Sequence, residues 1–255
     1  MICFVGAGPG AVDMITVRGM RELEKADVII YAGSLVNPQL LTEYARESAE
    51  IYDSAKMTLE EVIEVIEQAE KEKKYTVRLH TGEPSLYGAV REQMDELDKR
   101  GIEYKSVAGV SACFGAAASL DIEYTLPGVS QSLIITRMEG RTEVPKGETI
   151  ESFASHGCSM AIYLSSSMTG ELSKRLIEGG YSKDTPAAIV YKATWDDEKR
   201  YECTLETLEK TAKENGIYKT AVILVGEAVA HRDYKRSKLY DPEFETGYRR
   251  VKGNE

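Results

Sequence analysis

The feature that most constrains this chain is a short apolar run that ends on a glycine loop and gives way to helical periodicity, which its first half contains three times. Residues 75–79 form one such run. His80-Thr81-Gly82-Glu83-Pro84-Ser85-Leu86-Tyr87-Gly88 follows it, and a helical pattern covers 89–97. Gly82 permits backbone angles closed to other residues, Pro84 fixes its own, and Gly88 removes a side chain at the helix start, so backbone there can lie against a ligand. Val5-Gly6-Ala7-Gly8-Pro9-Gly10 closes the first strand in the same way, and Ala108-Gly109-Val110-Ser111-Ala112 closes another. Any one of these reads as an ordinary rigid turn. Three at strand ends predict a sheet of β-α units with one shared ligand cleft along its carboxyl edge.

The periodicities order the rest. Residues 2–5 are a buried strand, 16–26 a helix carrying Val17, Met20, Leu23 and Ala26, and 28–31 a strand, which makes a right-handed β-α-β unit. Thr58 and Glu61 spell a capping box before Val62, Ile63, Val65 and Ile66, and the helix runs out in a solvated charge run over 70–74. A helix over 90–99 stops at Gly101, a strand covers 103–107, and 111–119 is a small apolar helix suited to close packing. Pro127-Gly128 interrupts all periodicity within 120–130, the expected domain boundary. Strands at 133–136, 160–164, 187–191 and 221–225 then alternate with helices at 149–155, 169–178 and 205–213. The expectation is an N-terminal α/β domain over 1–120, a C-terminal α/β domain over 121–232 and a polar surface tail over 233–255.

Charge and cysteine usage exclude several functions. With 42 acidic and 32 basic residues the net charge is −10, which disfavours nucleic acid and anionic membranes as general partners. Cys3, Cys113, Cys158 and Cys203 lie far apart with no C-x-x-C, so they read as reduced and mostly buried thiols, with no zinc knuckle and no redox pair. His80, His156 and His231 show no metal-ligand spacing, so no metal site is expected. No charged leader and no long apolar span occurs, so the expected compartment is the cytoplasm.

Gly6, Gly8 and Ala11 fit the dinucleotide fingerprint, but the second strand ends Ile29-Ile30-Tyr31-Ala32-Gly33 without the acid that would hold a ribose. Pro9 also removes a donor from the turn that would cradle a pyrophosphate. No G-x-S-x-G elbow and no activated thiol is present. Two further loops follow strands: Thr136-Arg137-Met138-Glu139-Gly140-Arg141-Thr142, whose arginines offer planar forks to carboxylates, and Tyr191-Lys192-Ala193-Thr194-Trp195, which holds the only tryptophan.

Taken together the loops resemble the tetrapyrrole methylase family, the S-adenosylmethionine-dependent methyltransferases that act on uroporphyrinogen-derived rings, over nearly the whole chain. The family's G-x-G-P-G lies at Gly6 to Gly10, its G-D-P-x-x-Y-G at Gly82 to Gly88 and its P-G-[VI]-[ST]-[AS] at Ala108 to Ala112. The stretches 136–142, 191–195 and the tail Ser237-Lys238-Leu239-Tyr240-Asp241-Pro242 look most like the branch that methylates C11 of precorrin-4 or cobalt-precorrin-4 in corrin synthesis. Glu83 replaces the family aspartate, Ala108 a proline, and Ala11 stands where an aspartate is common.

The resemblance implies two α/β domains with the active site in the cleft between them, a homodimer, and a tetrapyrrole substrate whose cobalt, where present, belongs to the substrate. It implies S-adenosyl-L-methionine as methyl donor and S-adenosyl-L-homocysteine as product, held by Pro9, Thr81, Gly82, Glu83, Leu86, Ser111, Ala112, Leu164, Ala193, Ala221 and Val222. Gly6, Gly8 and Gly10 would border the macrocycle, with Arg137 and Arg141 on its carboxylates. Tyr87 and Glu139 are candidate acceptors of the proton lost on methylation. The alternatives are methylation at another ring carbon and a non-catalytic tetrapyrrole-binding module.

Overall fold

A computed structural model describes residues 1–230 and 234–250. The chain divides into two compact units: Met1–Ser119 with Lys192–Lys199, and Leu120–Tyr191 with Arg200 onward. The segment 192–199, expected in the second domain, packs with the first, because Thr194 and Trp195 are hydrogen-bonded to Ala11 and Pro9 in the loop after the first strand.

The first unit is built on a five-stranded sheet in the order β3-β2-β4-β1-β5. Its strands are β1 (Ile2–Gly6), β2 (Val28–Tyr31), β3 (Glu50–Asp53), β4 (Thr76–His80) and β5 (Tyr104–Val107). Every pairing is parallel, and β1 lies between β4 and β5 with Gly6 opposite His80 and Val5 opposite Val107. A strand with parallel neighbours on both sides and helices on both faces is buried throughout, and all five residues of β1 are.

Alternation sorts these strands onto two faces. Cys3, Val5, Ile29, Val77 and Leu79 meet Leu23 from α1 (Val17–Leu23) and Leu40 from α2 (Gln39–Tyr44). Ile2, Phe4, Val28 and Ile30 meet Val62, Ile63 and Ile66 from α3 (Leu59–Lys71) and Leu97 from α4 (Val90–Lys99). The capping box of α3 is complete: Thr58 N–H donates to Glu61 Oε2 at 2.7 Å, and Glu61 N–H to Thr58 Oγ1 at 3.3 Å. Gly101 ends the α4 connection in the left-handed region at φ 65°. The small-residue helix α5 (Ala112–Ser119) follows β5.

The second unit holds a mixed sheet in the order β6-β7-β10-β8-β9. The strands are β6 (Leu133–Arg137), β7 (Ser159–Tyr163), β8 (Pro186–Tyr191), β9 (Lys199–Thr204) and β10 (Ala221–Val225). β6 and β7 are parallel, while β10 runs antiparallel to both β7 and β8. Met160, Ile162, Ile189 and Ile223 pack with Leu172 and Leu176 of α7 (Thr169–Glu178) and Leu208 of α8 (Leu208–Glu214), and the five-residue α6 (Ile150–Ala154) adds Ile150 and Ala154.

Among the described residues, the helix α2 and the strands β3 and β9 escape the periodicity. β3 and β9 are edge strands, four and six residues long, with no fully buried residue, so no apolar run marks them. The tail is exposed over most of 234–250 and is tied to its own unit where Lys235 N–H donates to Pro127 O at 2.9 Å. Among the described residues no helix is long and apolar enough to cross a membrane.

Candidate active site

In the first unit the three glycine loops converge at the carboxyl ends of the adjacent strands β4, β1 and β5. Gly8 and Gly82 form an antiparallel bridge, with Gly82 N–H donating to Gly8 O at 2.9 Å and Gly8 N–H to Gly82 O at 3.4 Å. Ala7 N–H reaches His80 O at 2.7 Å. A Cβ on Gly6 would stand 2.6 Å from Gly82 O and 2.5 Å from Gly109 Cα, so backbone meets backbone where these glycines lie. Gly109 closes the same contact from β5.

The central loop is held by a carboxylate. Glu83 Oε2 accepts the Gly109 N–H at 2.7 Å, and its Oε1 accepts the Ser85 N–H at 3.0 Å. Burial pushes the Glu83 carboxyl up, but the donated N–H groups of Ser85 and Gly109 outweigh it, and the net pKa lies below the usual glutamate value. Glu83 is thus engaged with backbone, and the methylene that distinguishes it from aspartate extends its reach to the neighbouring loop. Gly82 is left-handed at φ 59°, and a Cβ there would lie in ordinary contact, 3.7 Å from Ser111 Cα and Ala112 N. Gly82 thus packs backbone to backbone against the loop after β5, where Ser111 is buried, while Thr81 and Leu86 of its own loop are half-buried. Tyr87 is also left-handed, at φ 57°, and 44 % exposed.

The first loop is roofed by the segment 192–199. Trp195 Nε1–H donates to Pro9 O at 3.1 Å, and a Cβ on Gly10 would collide with the Trp195 ring. Ala11 N–H donates to Thr194 Oγ1 at 3.0 Å, and Asn37 Nδ2–H to Gly10 O at 2.9 Å. Gly115 of α5 faces Pro9, whose Cβ would be 2.8 Å from an added Cβ. Lys192 and Thr194 are left-handed at φ 48° and 69°, and Lys192 Nζ lies 5.2 Å from the Trp195 ring centroid. Ala193, grouped by expectation with the second domain, is a buried member of this segment. Asn37, Thr194 and Trp195 are site-shaping residues that periodicity does not reveal; the only hint was a lone tryptophan after a strand.

In the second unit the sequence-predicted residues fall apart into two roles. The Arg137 guanidinium closes its own loop, donating to Thr142 O at 3.1 Å and Glu143 O at 2.6 Å, whereas Arg141 and Glu139 are exposed. Leu164, just after β7, is left-handed at φ 54° and 66 % exposed, an apolar side chain held outward by strained backbone. Ala221 and Val222 begin β10, and Ala221 O accepts the Ser166 hydroxyl at 3.1 Å.

All four cysteines are free, three of them buried. Among the described residues no group of three or more His, Cys, Asp or Glu could hold a metal ion. His80 is a buried residue of β4, His156 is exposed, and His231 lies outside the described residues. The three converging loops of the first unit therefore present backbone donors and acceptors, small surfaces and apolar side chains, a chemistry suited to positioning a ligand.

Known proteins match this geometry and sequence. The model of the Tetrapyrrole (Corrin/Porphyrin) Methylases matches residues 1–209. The chain is 53 % identical over 249 residues to the cobalt-precorrin-4 C(11)-methyltransferase of Methanocaldococcus jannaschii, covering 98 % of this chain and 96 % of that one. The solved structure of a cobalamin biosynthetic enzyme, cobalt precorrin-4 methyltransferase, superposes with a TM-score of 0.87 at 43 % identity, covering 89 % of this chain and 95 % of that one. A uroporphyrin-III C-methyl transferase from Thermus thermophilus, solved with S-adenyl homocysteine, shares the fold at a TM-score of 0.77 and 23 % identity over 90 % of this chain and 98 % of that one.

Proposed function

Because the chain belongs to the tetrapyrrole methylase family, we propose that it transfers a methyl group from S-adenosyl-L-methionine to C11 of cobalt-precorrin-4 in corrin biosynthesis. The observation that carries this reading is the convergence of the three glycine loops, Gly82 bridged to Gly8 and Glu83 bonded to the Gly109 N–H, in a chain 53 % identical to a cobalt-precorrin-4 C(11)-methyltransferase. The substrate's cobalt needs no protein ligand.

The donor brings its own activation. A carbon–sulfur bond of the sulfonium breaks as the new bond to C11 forms, S-adenosyl-L-homocysteine leaves, and the macrocycle loses a proton. What the protein supplies is alignment and exclusion of water, which for reacting atoms held about 3–3.5 Å apart is worth on the order of 7–11 kcal/mol of barrier. We assign donor contacts in the first unit to Pro9, Thr81, Gly82, Glu83, Leu86, Ser111, Ala112 and Ala193, mostly through backbone groups. In the second unit we assign Leu164, with its exposed side chain, and Ala221 and Val222 at the start of β10 to the adenine. Glu83 acts through the shape of its loop, since both its oxygens already accept backbone N–H groups.

Gly6, Gly8 and Gly10 are assigned to the macrocycle, and Arg141 to one of its carboxylates. Arg137, engaged with Thr142 and Glu143 carbonyls, holds the loop that presents Arg141. Tyr87 and Glu139 are the candidate proton acceptors. A cytoplasmic homodimer completes the proposal, and light scattering of the purified protein tests its size.

The deciding experiment supplies S-adenosylmethionine labelled with carbon-13 at its methyl group together with enzymatically prepared cobalt-precorrin-4. NMR of the product should find the label on C11. Label on another carbon would make this a different ring methylase, and tight ring binding without any transfer would make it a carrier. Metal-free precorrin-4 as a competing substrate decides whether cobalt is required. Loss of turnover in Tyr87→Phe with binding intact would identify the acceptor, and Glu139→Gln tests the other candidate.

A further inference from the structure

Beneath the central loop, β4 carries two polar side chains into the core on the face where Phe4 packs: Arg78 is 6 % exposed and His80 is 5 % exposed. The Phe4 and His80 rings are stacked at 6.0 Å. A buried cation is retained at a cost unless something needs it. Among the described residues no carboxylate pairs with Arg78, and burial alone lowers its pKa, to about 10. Its hydrogen bonds go elsewhere. Nη1–H donates to Ile30 O of β2 at 3.2 Å and to Leu79 O at 3.4 Å, and Nε–H donates to Gln93 Oε1 of α4 at 3.1 Å.

The consequence lies at the other end of Gln93. A guanidinium has donors only, so it dictates which way the Gln93 amide faces: oxygen toward Arg78, nitrogen away. Gln93 Nε2–H then donates to Ala89 O at 3.1 Å. Ala89 is the N-cap of α4 and sits in the left-handed region at φ 48°, two residues after Tyr87 at φ 57°. Ala89 has no side chain with which to cap the helix, and non-glycine residues persist in this region only where their surroundings impose it. We propose that Arg78 and Gln93 are positioning residues, a buried relay anchored on β2 and β4 that fixes the left-handed close of the central loop and so the course of its backbone from Gly82 to Ala89. The proposal deepens the reading of that loop as the donor site and rests on it for its functional consequence.

Gln93→Glu separates this role from plain stability. The carboxylate keeps the volume and pairs with Arg78, so melting temperature should match or exceed that of the unaltered protein. The same change turns an acceptor toward the Ala89 carbonyl. Hydrogen exchange across 85–89 should therefore quicken, and S-adenosylhomocysteine should bind about tenfold more weakly by calorimetry. Stability and affinity would fall together if the pair only filled the core. The double variant Arg78→Met with Gln93→Met, apolar and similar in volume, should likewise fold with a loosened loop and weaker binding. Unchanged loop exchange and unchanged affinity in either folded variant overturn the relay. A loosened loop in a protein that never bound S-adenosylhomocysteine leaves the relay standing and removes the donor reading instead. Should neither variant fold, the Gln93 side-chain amide of the unaltered protein decides by NMR: slow exchange supports the relay, and exchange at the solvent rate overturns it.

Discussion

Gly109 donates its backbone N–H to Glu83 Oε2 at 2.7 Å and so fastens the loop after β5 to the loop after β4. Glu83→Gln keeps the length but leaves one acceptor oxygen for two N–H groups. The expected loss is roughly 1.5–3 kcal/mol, the range of a hydrogen bond to a charged group, read by urea unfolding. S-adenosylhomocysteine affinity should drop with it. Glu83→Asp, one methylene shorter, should keep the Ser85 contact and lose the Gly109 one; an aspartate variant as stable as the original would mean that the inter-loop bond contributes nothing.

Gly82 and Gly109 should respond differently to a methyl group. At Gly82 the new Cβ finds its nearest neighbours at 3.7 Å, so Gly82→Ala should fold, carrying only left-handed strain of about 1–2 kcal/mol, and should lose donor affinity. At Gly109 the Cβ would meet Gly6 Cα at 2.7 Å, so Gly109→Ala should part the loops and lower the melting temperature markedly. Calorimetry and thermal melts on both variants check the contrast. Full affinity in Gly82→Ala would move the donor elsewhere.

His80 sets an acid dependence. Burial, and secondarily the Arg78 charge, depress its pKa from 6.5 to about 3, so the folded state keeps the imidazole neutral while the unfolded chain takes up a proton. The sign follows from proton linkage: this contribution is fully present above pH 6.5 and is lost as pH falls toward 3, at up to about 1.4 kcal/mol per pH unit. His80→Leu should flatten the fall in stability from pH 6.5 to 5, above the range where most carboxylates titrate. Parallel stability curves for the two proteins would assign that slope to other groups.

Arg137 and Arg141, equivalent in the sequence, should separate on replacement by lysine. Arg141→Lys should leave melting and S-adenosylhomocysteine binding unchanged while weakening use of the macrocycle by roughly 1.5–3 kcal/mol, since lysine keeps the charge and loses the planar fork. Arg137→Lys should instead loosen the loop whose Thr142 and Glu143 carbonyls it holds. Single-turnover methyl transfer, with the methylated carbon assigned by NMR, distinguishes them. Equal, undiminished rates in both would return the stretch to a solvated surface loop.

What the sequence by itself determined was everything carried by local chemistry and periodicity. Buried strands such as β1 and β10, the capped helix α3, the span of α7 and the three glycine loops all state their conformation in consecutive residues, because apolar runs, caps and glycines act over a few positions. The order of those loops was enough to identify the family. Tertiary structure alone decided partnerships between residues distant in the chain. Nothing local announces that Trp195 donates to Pro9 186 positions away, that Thr194 receives Ala11, or that the segment 192–199 packs with the first unit. Arg137 and Arg141 could not be told apart because which carbonyls a guanidinium meets depends on how its loop turns back. Arg78 passed unmarked within the run over 75–79, and its purpose needed Gln93 and Ala89 beside it, since the direction of a side-chain amide is set by its neighbours in space and not by its neighbours in sequence.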